Sequence, residues 1–169
     1  MGTHRFLLDA AVLAAMLPAF GQPPKPGAPC QPGEPHPMAI LIDHSPPNYA
    51  GAGPWIHITF KNVSDRTLKV RKGNPETLYL ADILDSTGRR VALTEIGRNF
   101  RAPPTPTTVF VSSGLGTADV DLAPGQELQS IWGIDGYYDM SKPGKYRVTV
   151  SRTFEGQTIC SNTIELSVE

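Results

Sequence analysis

The chain is short of cysteine, carries no surplus of charge of either sign and has no uninterrupted apolar run long enough to cross a bilayer. Each scarcity removes a class of function. Fifteen Lys and Arg stand against 16 Asp and Glu, so the basic footprint by which proteins hold nucleic acid or an anionic membrane is missing. The leading apolar stretch, Phe6 to Phe20, is broken by Asp9 and bent near its end by Pro18, which is too short and too flawed for a membrane anchor. Neither of the two cysteines has another within four residues, which argues against a compact zinc or redox motif. No Gly-x-Ser-x-Gly occurs, so the nucleophile elbow of a hydrolase is absent. In Ser112-Ser113-Gly114-Leu115-Gly116 the lone Gly-x-Gly lacks the third glycine and following helix of a phosphate site.

What the chain has in quantity is glycine and proline, 16 and 17 of 169 residues, beside 40% hydrophobic residues. That balance suits one compact domain with a tail and disfavours long helices. Residues 1–21 read as a cleaved signal peptide: Arg5 closes a positive start, Phe6 to Phe20 is largely apolar, and Ala19 and Gly21 are small residues before a cut. No cysteine follows directly, so a lipid anchor is not expected, and the chain is placed in the periplasm or outside the cell. In that oxidising setting Cys30 and Cys160 are expected to form a disulfide. It would close about 130 residues and restrict the unfolded chain by roughly 4 to 5 kcal/mol in the entropy model. Two unpaired thiols are the alternative.

Residues 22–37 alternate Pro with Gly, Ala and polar residues and form an extended linker or tail. The domain, 38–169, begins where Met38, Ile40 and Ile42 start to alternate. Ile56, Ile58 and Phe60 alternate with Trp55, His57, Thr59 and Lys61 in the clearest strand. Leu68 and Val70 give a strand expected beside it. Leu78 to Leu84 and Val91 to Ile96 are expected to pair as a hairpin across Asp85-Ser86-Thr87-Gly88. Arg98 to Pro106 reads as an exposed irregular loop, and Thr107 to Val111 as a strand. Glu127 to Trp132, then Tyr146, Val148 and Val150, then Ile164, Leu166 and Val168, supply the later strands. Seven to nine short strands at this spacing predict an all-β, antiparallel sandwich of immunoglobulin-like type, with a closed barrel as the second choice. Tyr146, opening a strand after Pro143-Gly144, is placed to return its hydroxyl to upstream backbone as a tyrosine corner, while Val148 stands where the antibody-type cysteine would be.

Leu122-Ala123-Pro124-Gly125-Gln126, Tyr138 to Val148 and Ser161-Asn162-Thr163-Ile164 resemble the closing strands of immunoglobulin-like domains in secreted bacterial proteins. Phe60-Lys61-Asn62-Val63-Ser64-Asp65, with Asp85-Ser86-Thr87-Gly88, is similar to the BsuPI-like proteinase inhibitor domain family. These motifs span most of residues 38–169. They imply a fold, and they carry over no catalytic residue and no cofactor.

Three sets of residues remain as candidate sites. Trp132, Tyr137 and Tyr138 lie among aspartates in the densest aromatic segment, with Trp132 expected buried and Tyr137 or Tyr138 exposed to a protein or a sugar. Arg98 and Arg101 are candidate specificity residues of an inhibitor loop. His36, His44 and His57 match no compact metal motif, and only convergence of His44 and Asp43 on His57 would favour a metal; Asp119 and Asp121 share a strand face but are too few for calcium. The leading expectation is an exported, non-enzymatic binding or accessory module, with proteinase inhibition second and an enzyme or metal protein using His44 and His57 third.

Overall fold

A computed structural model describes residues 36–44, 53–101 and 117–169. The expected signal peptide, most of the linker, Cys30, the strand at Thr107 to Val111 and the Ser112 to Gly116 loop lie outside those residues. The described chain is mostly β, in two sheets. The larger contains β1 (Met38–His44), β2 (Trp55–Asn62), β4 (Leu80–Leu84), β6 (Glu127–Gly133), β7 (Gly144–Phe154) and β8 (Gln157–Val168), in the order β4-β7-β8-β1-β2-β6. The smaller pairs β3 (Leu68–Lys72) with β5 (Ala118–Leu122).

Alternation decides which face each strand buries. Ile40 and Ile42 of β1, Ile56, Ile58 and Phe60 of β2, and Val148 and Val150 of β7 all point into the core, where Leu68, Val70 and Leu122 meet them from the smaller sheet. Asn62, fully buried at the end of β2, ties the two sheets: its amide donates to the carbonyls of Leu122 and Arg66, and its Oδ1 accepts the Ser64 amide. A buried polar side chain satisfied on this scale fixes a corner of the fold.

Several expectations are corrected. The sheet is not wholly antiparallel, because β1 lies parallel to β8 with Ile40 opposite Ser161. Asn162 acts there as a surrogate strand backbone, its Oδ1 accepting the Ile42 amide at 2.8 Å and its Nδ2 donating to the Ile42 carbonyl at 2.9 Å. β3 does not pair with β2; it crosses to the second sheet, and its partner is β5. The expected hairpin partner of β4 is not a strand. After the Asp85 turn only a single bridge, Leu84 to Arg90, continues the pairing, and the chain enters α2 (Glu95–Arg101), following the one-turn α1 (Pro75–Leu78).

Helix α2 forms for local and non-local reasons. Thr94 caps it, its Oγ1 accepting the Gly97 amide at 3.0 Å, and Arg98 and Arg101 occupy the last turn, where the helix dipole favours cations. Gly97 is required by close approach, since a Cβ there would lie 2.1 Å from the Tyr137 carbonyl oxygen. Arg98 and Arg101 therefore sit on a helix and not in an irregular loop.

Candidate functional site

The residues singled out as two separate surfaces come together at one end of the sandwich. Segment 92–97 runs against segment 134–140, with the Thr94 amide on the Tyr137 carbonyl (3.1 Å) and the Asp139 amide on the Ala92 carbonyl (2.8 Å). Trp132 stacks near Tyr137 and Tyr138 with ring centroids 6.1 and 6.4 Å apart, and Tyr137 meets Phe100 of α2 at 5.7 Å. Trp132 is buried as expected. The expectation that Tyr137 or Tyr138 stands exposed is overturned: Tyr138 is buried and Tyr137 half-buried.

The reason is the position of β4 at the edge of the six-stranded sheet. An edge strand leaves backbone groups unpaired, and here side chains pair them. The Tyr138 hydroxyl accepts the Ala81 amide at 3.2 Å and donates to the Ala81 carbonyl at 2.8 Å. Arg101 donates to the Tyr79 carbonyl at 3.2 Å, and the Val91 amide donates to the Ile83 carbonyl at 2.9 Å. Burial pushes the Tyr138 hydroxyl above the ordinary tyrosine range, with Arg101 opposing, so it remains a donor at neutral pH. Arg98 is spent on the Leu93 carbonyl at 2.8 Å. This end is a seal on a sheet edge, with both arginines on α2; the rest of the expected Pro-rich loop, 102–106, lies outside the described residues.

A different surface stands open. On the outer face of β1, β2 and β6, Asp43, His57 and Ile131 lie in one cross-strand row, and Leu41, Thr59 and Gln129 in the next. Leu41 is 54% exposed and Ile131 36%. Trp55 lies across Gly133, where a Cβ would come within 3.2 Å of the indole. His57 Nδ1 is 3.4 Å from Asp43 Oδ1. The other outer faces carry exposed ion pairs: Arg71 with Asp119 (3.5 Å) on the smaller sheet, Lys145 with Glu165 (2.7 Å) across β7 and β8, and Arg90 with Asp82 (3.0 Å) beside β4, where Leu80 is also exposed.

Sequence reasoning missed Leu41 and Ile131, although a signal was there. Each is a large aliphatic residue in the outward phase of a strand whose inward phase is already apolar, Ile40 and Ile42 flanking Leu41, and Trp132 following Ile131. Among the remaining candidates, His57 and Asp43 are brought together but His44 pairs in register with Ile56, and no group of three His, Cys, Asp or Glu among the described residues is arranged to hold a metal ion. His36 bonds Gln157 at 2.9 Å. Asp121 faces Lys69 in register. The Tyr146 hydroxyl donates to the Lys142 carbonyl at 2.6 Å. Cys160, opposite Ser151 in β8, is not a free thiol; Cys30, its expected partner, lies outside the described residues. No protein-family model matches the chain, and no curated protein matches it.

Proposed function

We propose that this chain is an exported, non-enzymatic binding or accessory module with an immunoglobulin-like sandwich, and that it docks a partner protein on the outer face of β1, β2 and β6. The observation that carries this reading is the pair of exposed aliphatic side chains, Leu41 and Ile131, flanking the His57–Asp43 pair on one continuous three-strand face; the other exposed aliphatics, Val63, Leu80 and Ile96, stand on separate elements. Apolar side chains around a single polar pair give a desolvated contact with one fixed orientation, the usual anatomy of a protein contact. A sugar would call for freely exposed rings, and Trp132 and Tyr138 are buried.

Immobilised protein exposed to the extracellular or periplasmic fraction of its source should retain a defined partner, and Leu41→Asp should lose it while melting at the same temperature as the parent. Retention that is indifferent to Leu41→Asp, or robust substrate turnover by the purified domain, would overturn the proposal.

A further inference from the structure

The two edges of the six-stranded sheet are treated differently. The β4 edge is sealed by Tyr138, Arg101 and Val91, as described above. At the other edge, β6 pairs with β2 in a register bracketed by the Asn62 amide on the Gln126 carbonyl and the Ile134 amide on the Pro54 carbonyl. Antiparallel pairing alternates, so Leu128, Ser130 and Trp132 spend their backbone groups on β2. Glu127, Gln129, Ile131 and Gly133 turn theirs outward, and no strand pairs with them among the described residues. Three of the guards by which proteins protect such an edge, a proline, a lysine and a bulge, are missing from Glu127–Gly133, whose one charge is the terminal Glu127.

We infer that β6 is a self-association edge, and that a second copy of this chain adds to it by antiparallel β6–β6 pairing about Ser130. The strand is self-complementary in that arrangement. Glu127 exchanges hydrogen bonds with Gly133 of the second copy and Gln129 with Ile131 of the second copy, so every outward-facing amide and carbonyl of β6 finds a partner. The only charge on the strand is at its end. The two Glu127 carboxylates would lie roughly 20 Å apart at the rise of an extended chain, beyond the screening length of about 8 Å in physiological salt. Ile131 of each copy comes diagonal to the other across the two-fold axis, and the half-buried Leu128 and Ser130 lie beneath the joint. The product is isologous and closed, a continuous sheet across two domains.

Sedimentation equilibrium of the full chain over a wide concentration range tests this. The expected result is a mass that doubles with concentration, and a Gln129→Pro variant that stays monomeric: the Gln129 amide points away from β2, so proline there removes an intermolecular bond and spares the internal ladder. Leu41→Asp, two strands away, should still dimerise, which separates this inference from the docking face. If Gln129→Pro does not fold, hydrogen exchange on the parent decides, with the Gln129 and Ile131 amides gaining protection as concentration rises. A chain monomeric at every concentration, a Gln129→Pro variant as dimeric as the parent, or amides equally unprotected throughout would overturn it.

Discussion

At the scale of single residues, Arg152 shows how this domain carries a cation inside. Its side chain is 6% exposed, with the guanidinium 4.3 Å from the centre of the Phe60 ring and 5.3 Å from that of Tyr79. It donates to the Tyr79 hydroxyl and to the Arg71 carbonyl, so it joins β7 to β3. The charge rests on ring faces and oxygen dipoles. Arg152→Ala should destabilise the domain by about 3 kcal/mol, from the cavity under Phe60 and the carbonyl left unpaired. Arg152→Met, which keeps most of the volume and removes the buried charge, should cost clearly less. Denaturant midpoints of the two variants check the order, and equal losses would mean that charge, not volume, holds this site together.

At the scale of elements, β4 depends on what seals and turns it. Tyr138→Phe would leave the Ala81 amide and carbonyl without their partner, at a cost of about 2 kcal/mol, and should raise the tendency to aggregate through the opened edge; thermal melting and light scattering read the two effects. The following turn is built on Asp85, whose carboxylate accepts the Thr87 hydroxyl at 2.7 Å and the Thr87 and Arg89 amides at 2.8 and 3.0 Å, with Gly88 at φ +80°. The Thr87 hydroxyl first, then the Arg89 amide, hold its carboxyl below the usual aspartate range. Because the native value is the lower one, the turn's contribution is complete above the unfolded value near about 3.9 and fades as pH falls through the native one. Asp85→Asn should therefore unfold more readily than the parent at neutral pH and match it in strong acid, a comparison made by urea titration at the two pH values.

At the scale of the whole molecule, the strands legible in the sequence are those with one wet and one dry face. Ile56, Ile58 and Phe60, or Tyr146, Val148 and Val150, announce themselves because burial on one side forces period-two patterning. The segment from Val91 to Ile96 does not, since its fate is decided by the Thr94 cap and by the approach of Gly97 to Tyr137, a contact with a residue far along the chain. The same holds for Tyr138: an aromatic among aspartates reads as a binding residue, and only the edge position of β4 turns it into a seal. The parallel meeting of β1 and β8 is likewise invisible until both are placed. The proposed docking face is partly legible, through the phase of Leu41 against Ile40 and Ile42. One covalent expectation belongs at this scale: non-reducing peptide mapping should find the Cys30 peptide joined to that of Cys160, and reduction should lower stability by up to about 5 kcal/mol.

The placement of β8 has a consequence for how the domain is made. It follows every other strand in the sequence, yet it stands between β7 and β1 in the middle of the larger sheet. Without β8 the larger sheet is two half-sheets, β4-β7 and β1-β2-β6, with no backbone ladder between them, linked by side-chain contacts such as Arg152 of β7 over the Phe60 ring of β2. The backbone ladder of the larger sheet is therefore closed by β8, and a lesion in that strand divides the sheet where a lesion in β4 or β6 would only trim it.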